Sequence, residues 1–250
     1  MYQGRRITVV IPCLNEEEGI GMVLARIPEF VDEVLVVDNG STDSTALIAR
    51  QAGARVIREK VRGYGRAYKT GLLNARGDII VTLDGDHSYP IDAISYLIEA
   101  LLHSEVGFIS ASRFPVQNPG AMAFTNYVGN IFLSLVTSVL FFRWIRDSQS
   151  GMWIFFKEAL EMMDLRSDGM PFSEEIKVEA LLHPQIGFKE IPISYSNRAG
   201  EKKLRPWRDG WHNLVFLFRK RLTWRRNRVP LRAARPVIFH AEAQSRRERE

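Results

Sequence analysis

The sequence predicts an α/β domain: a single Rossmann-like unit on a mostly parallel central sheet. Three observations carry that prediction. Short apolar runs occupy residues 7–11, 33–37 and 78–83. Helix-patterned stretches separate them, and the polar residues richest in chemistry follow each run at once. Short continuous apolar runs suit strands covered on both faces, the situation of a parallel sheet between helical layers.

Taken in order, ITVVI (7–11) is closed by Pro12, EVLVV (33–37) by Asp38 and DIIVTL (78–83) by Asp84. A helix is expected over 16–30, because its opening acids face the positive end of the helix dipole. Further helices are expected over 44–52, stopped by Gly53, and over 64–75. Residues 55–59 read as a short strand, and 106–112 (VGFISAS) as another that reaches Arg113. Strands alternating with helices form right-handed βαβ units, whose ligands bind beyond the C-terminal strand ends. That rule gathers residues 12–17, 38–43 and 84–88 into one site.

The second half differs. Residues 127–145 carry no charge except Arg143 and approach the length of a membrane span. Asn130, Ser134, Thr137 and Ser138 recur at roughly helical spacing, which favours a buried or interfacial helix over a span. Residues 206–228 interleave Trp207, Trp211 and Trp224 with arginines, a composition suited to the membrane–water boundary. Residues 229–250 are polar and charged, and disorder is expected there.

A 46% hydrophobic and 25% charged composition excludes fibrous and wholly disordered chains. The single cysteine, Cys13, excludes an intramolecular disulfide. No small-residue cleavage site follows the N-terminal MYQGRRITVV, so a signal peptide is not expected. The net charge of +5 is unevenly placed: from Arg219 onward there are eleven basic and three acidic residues, and residues 1–218 are slightly acidic. No nucleic-acid-binding motif accompanies the basic end, so an anionic membrane surface is the expected partner and nucleic acid is not.

Asp84-Gly85-Asp86 is the strongest local signal. Two carboxylates two residues apart at a strand end suit a divalent cation and the diphosphate it neutralises, although an acidic turn has the same composition. Asp38 is placed either to accept hydrogen bonds from a base or ribose or to cap the next helix. Arg113 and Arg146 present planar forks suited to phosphate oxygens, or to a surface ion pair. Glu174 and Glu175 fall in the first turn of an expected helix, where acids favour the dipole. The five histidines lack ligand spacing.

IPCLNEEEGI, VVDNGSTDST, RGYGRAYKTG, ARGDIIVTLDGDHSYP, IRDSQSGMWIF and YSNRAGEKKLRPWRDGW occur in the order seen in family 2 glycosyltransferases, over roughly residues 5–215. The chain most resembles the polyprenyl-phosphate group, the dolichyl-phosphate mannose and glucose synthases. The resemblance implies a nucleotide-sugar-binding domain of the GT-A type over 1–205, with a hydrophobic, membrane-proximal acceptor helix within 121–146. It implies Mg²⁺ or Mn²⁺ on Asp84 and Asp86, with Asp86 the direct ligand, and a nucleotide pocket from Pro12, Asn15, Glu16, Asp38 and Asp84. Arg113, Arg146 and Ser150 match positions that grip an acceptor phosphate, and Glu175 an acid near the sugar. Arg198 and Lys203 match a mobile loop closing over the diphosphate. Ser88 stands where the family often has glutamine, and Leu14 where tyrosine is common.

The implied reaction is inverting transfer of a hexose from a UDP- or GDP-sugar to a polyprenyl phosphate, on the cytoplasmic side of a membrane. GEKKLRPWRDGW is similar to glucose-type members, which favours a UDP-sugar. Two alternatives stay open: a diacylglycerol or saccharide acceptor, for which Glu175 would be the base, and a non-catalytic nucleotide-binding module at a membrane. The oligomeric state is not set by the sequence.

Overall fold

The apolar runs become neighbouring strands of one seven-stranded sheet. The computed structural model describes residues 1–118, 120–200 and 206–226. The strands are β1 (Ile7–Cys13), β2 (Glu33–Asp38), β3 (Arg55–Arg58), β4 (Ile79–Thr82), β5 (Phe108–Ser112), β6 (Trp153–Phe156) and β7 (Phe188–Pro192). The helices are α1 (Glu17–Leu24), α2 (Thr45–Gln51), α3 (Tyr64–Asn74), α4 (Ala93–Leu102), α5 (Phe124–Phe141), α6 (Phe172–Leu182) and α7 (Pro206–Arg226).

The sheet order is β3-β2-β1-β4-β6-β5-β7. β1 pairs in parallel with β2 on one side and with β4 on the other, so Val10 faces Leu35 and Thr82. The chain runs outward through β2 and β3, then returns to the far side of β1. That reversal opens a crevice at the strand ends, where open α/β sheets bind ligands. Four of the six pairings are parallel, as expected; β6 runs antiparallel between β4 and β5.

Several elements depart from expectation, α4 among them, since no helix was anticipated between residues 88 and 106. The helix expected over 16–30 ends at Leu24, because Pro28 has no amide hydrogen and its ring disfavours helical backbone before it. β6 and β7 were not anticipated: WIFF is only four residues long and follows a polar turn, and FKEIP alternates weakly.

The main core lies on both faces of the sheet, with Ile7, Val9, Val10 and Ile11 of β1 fully buried. A smaller core of Leu133, Phe141, Val178 and Leu217 joins α5, α6 and α7 beside it. Within the aromatic and cationic run over 206–228 the chain forms α7, and the tail over 229–250 lies outside the described residues.

Candidate active site

The turn after β4 is built by close backbone packing. A Cβ on Gly85 would lie 2.7 Å from Cys13 Sγ, and one on Gly19 would lie 2.5 Å from the Gly85 carbonyl oxygen. Only glycine permits that approach, so Asp84 and Asp86 are pressed against the end of β1 and the start of α1.

Asp86 is buried, and its Oδ1 accepts hydrogen bonds from the Ser88 amide at 3.0 Å and the Ser88 hydroxyl at 2.6 Å. Ser88 therefore orients this acid. The other oxygen, Oδ2, lies 3.5 Å from Arg198 Nη1, and Arg198 Nη2 sits 3.3 Å from both carboxylate oxygens of Glu16. The Ala199 amide donates to the Asp86 carbonyl at 2.8 Å, so the 196–200 segment folds directly over the acids. The Tyr68 hydroxyl lies 3.4 Å from Asp84 Oδ1. Burial, reinforced by the neighbouring Asp86 charge, pushes the Asp84 carboxyl up to about 7. Burial also raises the hydroxyls of Tyr64, Tyr68 and Tyr89, which keeps them protonated.

These acids border a cleft of about 890 Å³. On its β1–β2 side stand Pro12, Glu16 and Asn39. Asn39 is buried and accepts from the Gly63 amide at 2.8 Å while donating to the Val61 carbonyl at 2.8 Å, which ties down the 59–63 loop. On the opposite side stand Arg113, Asn126, Asn130, Gln149 and Asn213. Arg113 is locked by Asp147, its Nε and Nη2 each 2.8 Å from separate carboxylate oxygens, and its guanidinium lies 5.4 Å from the Tyr195 ring centre. Buried Lys177 secures the same turn by donating to the Asp147 and Ser150 carbonyls at 3.1 and 2.8 Å.

Of the residues expected from sequence, the cleft brings together Pro12, Glu16, Asp84, Asp86, Arg113 and Arg198. Among the described residues, Asn15, Asp38, Arg146, Ser150 and Glu175 are not in its lining. Asp38 accepts from the Ser41 amide at 2.9 Å, and Asn15 accepts from the Thr42 amide at 2.8 Å, so both shape the loop after β2. Ser150 is fully buried and donates to the Ala111 carbonyl. Arg146 has an exposed side chain, and its amide donates to Glu190 at 2.7 Å. Glu175 accepts from the Arg166 and Ser167 amides at 3.0 and 2.7 Å and faces Lys220 at 3.5 Å, as a clamp between the 164–167 segment and α7. Lys203 lies outside the described residues. Asn39, Gln149 and Asn213 were missed; Asn39 directly follows Asp38, but Asn213 has no cue within an aromatic and cationic run.

Residues 8–163 match the sequence profile described as glycosyl transferase family 2. The chain belongs to this family. It is 34% identical over 218 residues to the low-salt glycan biosynthesis hexosyltransferase Agl6 of Haloferax volcanii, covering 84% of this chain and 52% of that protein, so it spans about half of that relative's length. It is 33% identical over 210 residues to the dolichyl-phosphate hexose transferase of the same organism, covering 82% of this chain and 89% of that one. Its fold matches glucosyl-3-phosphoglycerate synthase of Mycobacterium tuberculosis, solved with Mn²⁺, UDP and glucosyl-3-phosphoglycerate. That match has a TM-score of 0.70 and 23% identity, over 87% of this chain and 80% of that one.

In this family 2 glycosyltransferase, α5 borders the cleft with a polar edge and turns an apolar face outward. Asn130, Ser134, Thr137 and Ser138 are buried, whereas Val128, Phe132, Leu135 and Val139 are exposed at helical spacing. By length and composition α5 is apolar enough to cross a membrane. α7 packs beside it and exposes Trp207, Trp211, Phe218 and Leu222.

Proposed function

We propose that this glycosyltransferase moves a hexose from a UDP- or GDP-sugar to a polyprenyl phosphate, with inversion, at the cytoplasmic face of a membrane. One observation carries the reading: the cleft holding Asp84, Asp86 and Arg198 is walled by Asn126, Gly129 and Asn130 of α5, a helix whose other face is apolar and exposed. A donor from water and an acceptor from a lipid surface meet in such a place. The dolichyl-phosphate hexose transferase, which aligns over most of both chains, supports the acceptor class.

The donor set suits Mg²⁺ or Mn²⁺. Asp84 and Asp86 offer hard oxygens, and among the described residues no cluster of three His, Cys, Asp or Glu side chains forms a closed metal cage. A site of two carboxylates completed by substrate phosphate and water is how such ions are commonly held beside diphosphates. The ion bound there would neutralise charge on the departing diphosphate. Arg198 already reaches over the acids, and Lys203 of the same segment is assigned to the same diphosphate.

Pro12 and Glu16 bound the nucleotide end, with Asn15 and Asp38 fixing the loop behind it. Arg113 is assigned to the acceptor phosphate, and Ser150 and Arg146 to support of the turn that carries Asp147. A lipid phosphate is an anion at neutral pH, so orientation replaces a strong base. Glu175 accordingly acts through the segment it clamps. The apolar face of α5 and the tryptophans of α7 form the proposed membrane contact, peripheral or monotopic.

The test is to incubate the full chain with UDP-glucose, UDP-N-acetylglucosamine or GDP-mannose, Mn²⁺ and a short polyprenyl phosphate. Release of nucleoside diphosphate with formation of a glycosylated lipid is expected. Release of neither product with any donor rejects the reading.

A further inference from the structure

The α5–α7 side of the cleft has a polar pattern of its own. Asn213 is 4% exposed and lines the cleft; its Nδ2 donates to Gln149 Oε1 at 2.7 Å, while its Oδ1 is enclosed and meets no donor. Asn126, also in the lining, has a second enclosed Oδ1 without a donor.

The direction of this chain is set from below. Glu174, fully buried on α6, accepts from Gln149 Nε2, which also bonds Ser148 Oγ at 2.9 Å. With its nitrogen on Glu174, Gln149 turns its oxygen toward α7, and Asn213 gives its nitrogen to that oxygen. The free end of the relay is therefore a carbonyl oxygen. Asn130, one helical turn beyond Asn126, is engaged at both ends: its Nδ2 donates to Asp147 at 2.8 Å and its Oδ1 accepts from Ser134 at 3.1 Å.

Both oxygens are unmatched acceptors on cleft-lining residues, and a ligand that donates hydrogen bonds would relieve them, because an unsatisfied buried acceptor is unfavourable. An ionised phosphate brings only acceptors and is disfavoured beside them. A sugar hydroxyl donates. We propose that Asn126, Gln149 and Asn213 form the subsite that reads hydroxyl groups of the transferred sugar, with Glu174 as the residue that positions Gln149. This rests on the reading of the protein as a nucleotide-sugar enzyme.

The experiment is calorimetric titration of the full chain with Mn²⁺, comparing UDP with UDP-glucose and GDP with GDP-mannose. Asn213→Leu and Asn126→Leu remove the acceptors while keeping the branched shape of the side chain. In each variant the affinity for the free diphosphate should stay within about twofold and that for the sugar nucleotide should fall about five- to tenfold, the size of one hydrogen bond to an uncharged group. Glu174→Leu should reproduce the Asn213→Leu defect, whereas Glu174→Gln, which keeps a carbonyl toward Gln149, should restore sugar affinity. Equal weakening of diphosphate and sugar nucleotide, or a change confined to KM for the polyprenyl phosphate, overturns the subsite. Should Asn213→Leu not fold, Asn126→Leu alone decides, because that side chain sits at the less buried end of α5. Wild-type protein that binds neither sugar nucleotide rejects the underlying functional reading instead.

Discussion

Arg113 and Asp147 meet as a fork against a fully buried carboxylate, with Nε and Nη2 each 2.8 Å from a different oxygen. Asn130 adds a third bond to the same acid at 2.8 Å. The residue after β5, the turn before β6 and helix α5 are thus joined through one side chain, which places the guanidinium at the cleft.

Removing one partner of such a pair strands the other in a dry site. Asp147→Asn should destabilise the protein by about 3–5 kcal/mol, read as a lower denaturant midpoint. Burial works to raise the Asp147 carboxyl, but the Arg113 charge and its hydrogen bonds overcome that and hold it well below the usual carboxylate range. A lowered folded-state pKa contributes stability above the unfolded value, about 3.9, and loses it as the pH falls further through the folded value. The wild type should therefore lose stability steeply below about pH 4, and Asp147→Asn should show a flatter acid limb. Equal acid sensitivity of the two proteins would refute the assignment.

Glu174 predicts the opposite pH dependence. Burial pushes its carboxyl up to about 8, against partial relief from Gln149 and Lys177. A raised folded-state pKa contributes stability that is complete below the unfolded value, about 4.3, and lost as the pH rises through about 8. Glu174→Gln cannot ionise. Its stability relative to wild type should therefore grow between roughly pH 5 and pH 8 and then level off. Thermal unfolding of both proteins across that range checks this, and a constant difference excludes it.

Asp86 is held by Ser88 and covered by Arg198, yet it belongs to a turn rather than to the core. Asp86→Ala should lower transfer at least about a hundredfold, the scale seen when one charge-stabilising group is removed from an active site. The circular dichroism spectrum should be unchanged. Chelation of divalent ions should abolish wild-type transfer, and added Mn²⁺ should restore it to the wild type but not to Asp86→Ala. Near-normal transfer by the variant would remove the metal from Asp86.

The sheet core and the crevice were legible because apolar runs and the polar residues after them are local signals. ITVVI, EVLVV and DIIVTL each became a strand, and Pro12, Asp84 and Asp86 reached one cleft. Ser150 and Arg146 were harder: a motif shows where residues fall in the chain, not which way each points. Ser150 turns into the sheet toward Ala111, while Arg146 contributes its amide and leaves its side chain outside. Glu174 and Glu175 show the same limit. Adjacent acids point about 100° apart on a helix, so one supports Gln149 and the other clamps the 164–167 segment. Asn213 depended on a contact 64 residues away in sequence, which no local pattern encodes.

The polar stripe on α5 is buried, which leaves an outward face of Val128, Phe132, Leu135 and Val139. A set of apolar side chains this regular on one surface marks an interaction site. Partial burial of one such side chain in a membrane interface is worth about 1 kcal/mol, or about fivefold in partitioning. Phe132→Glu with Leu135→Glu should then weaken sedimentation with vesicles of mixed neutral and anionic lipid by more than about tenfold, while glycosyl transfer to a short, soluble polyprenyl phosphate stays near normal. Salt discriminates the apolar contact from the cationic one. Raised ionic strength screens the arginines at the basic end but leaves the α5 contribution in place. Wild-type binding that vanishes in high salt and is indifferent to the double substitution would assign the membrane contact to charge alone.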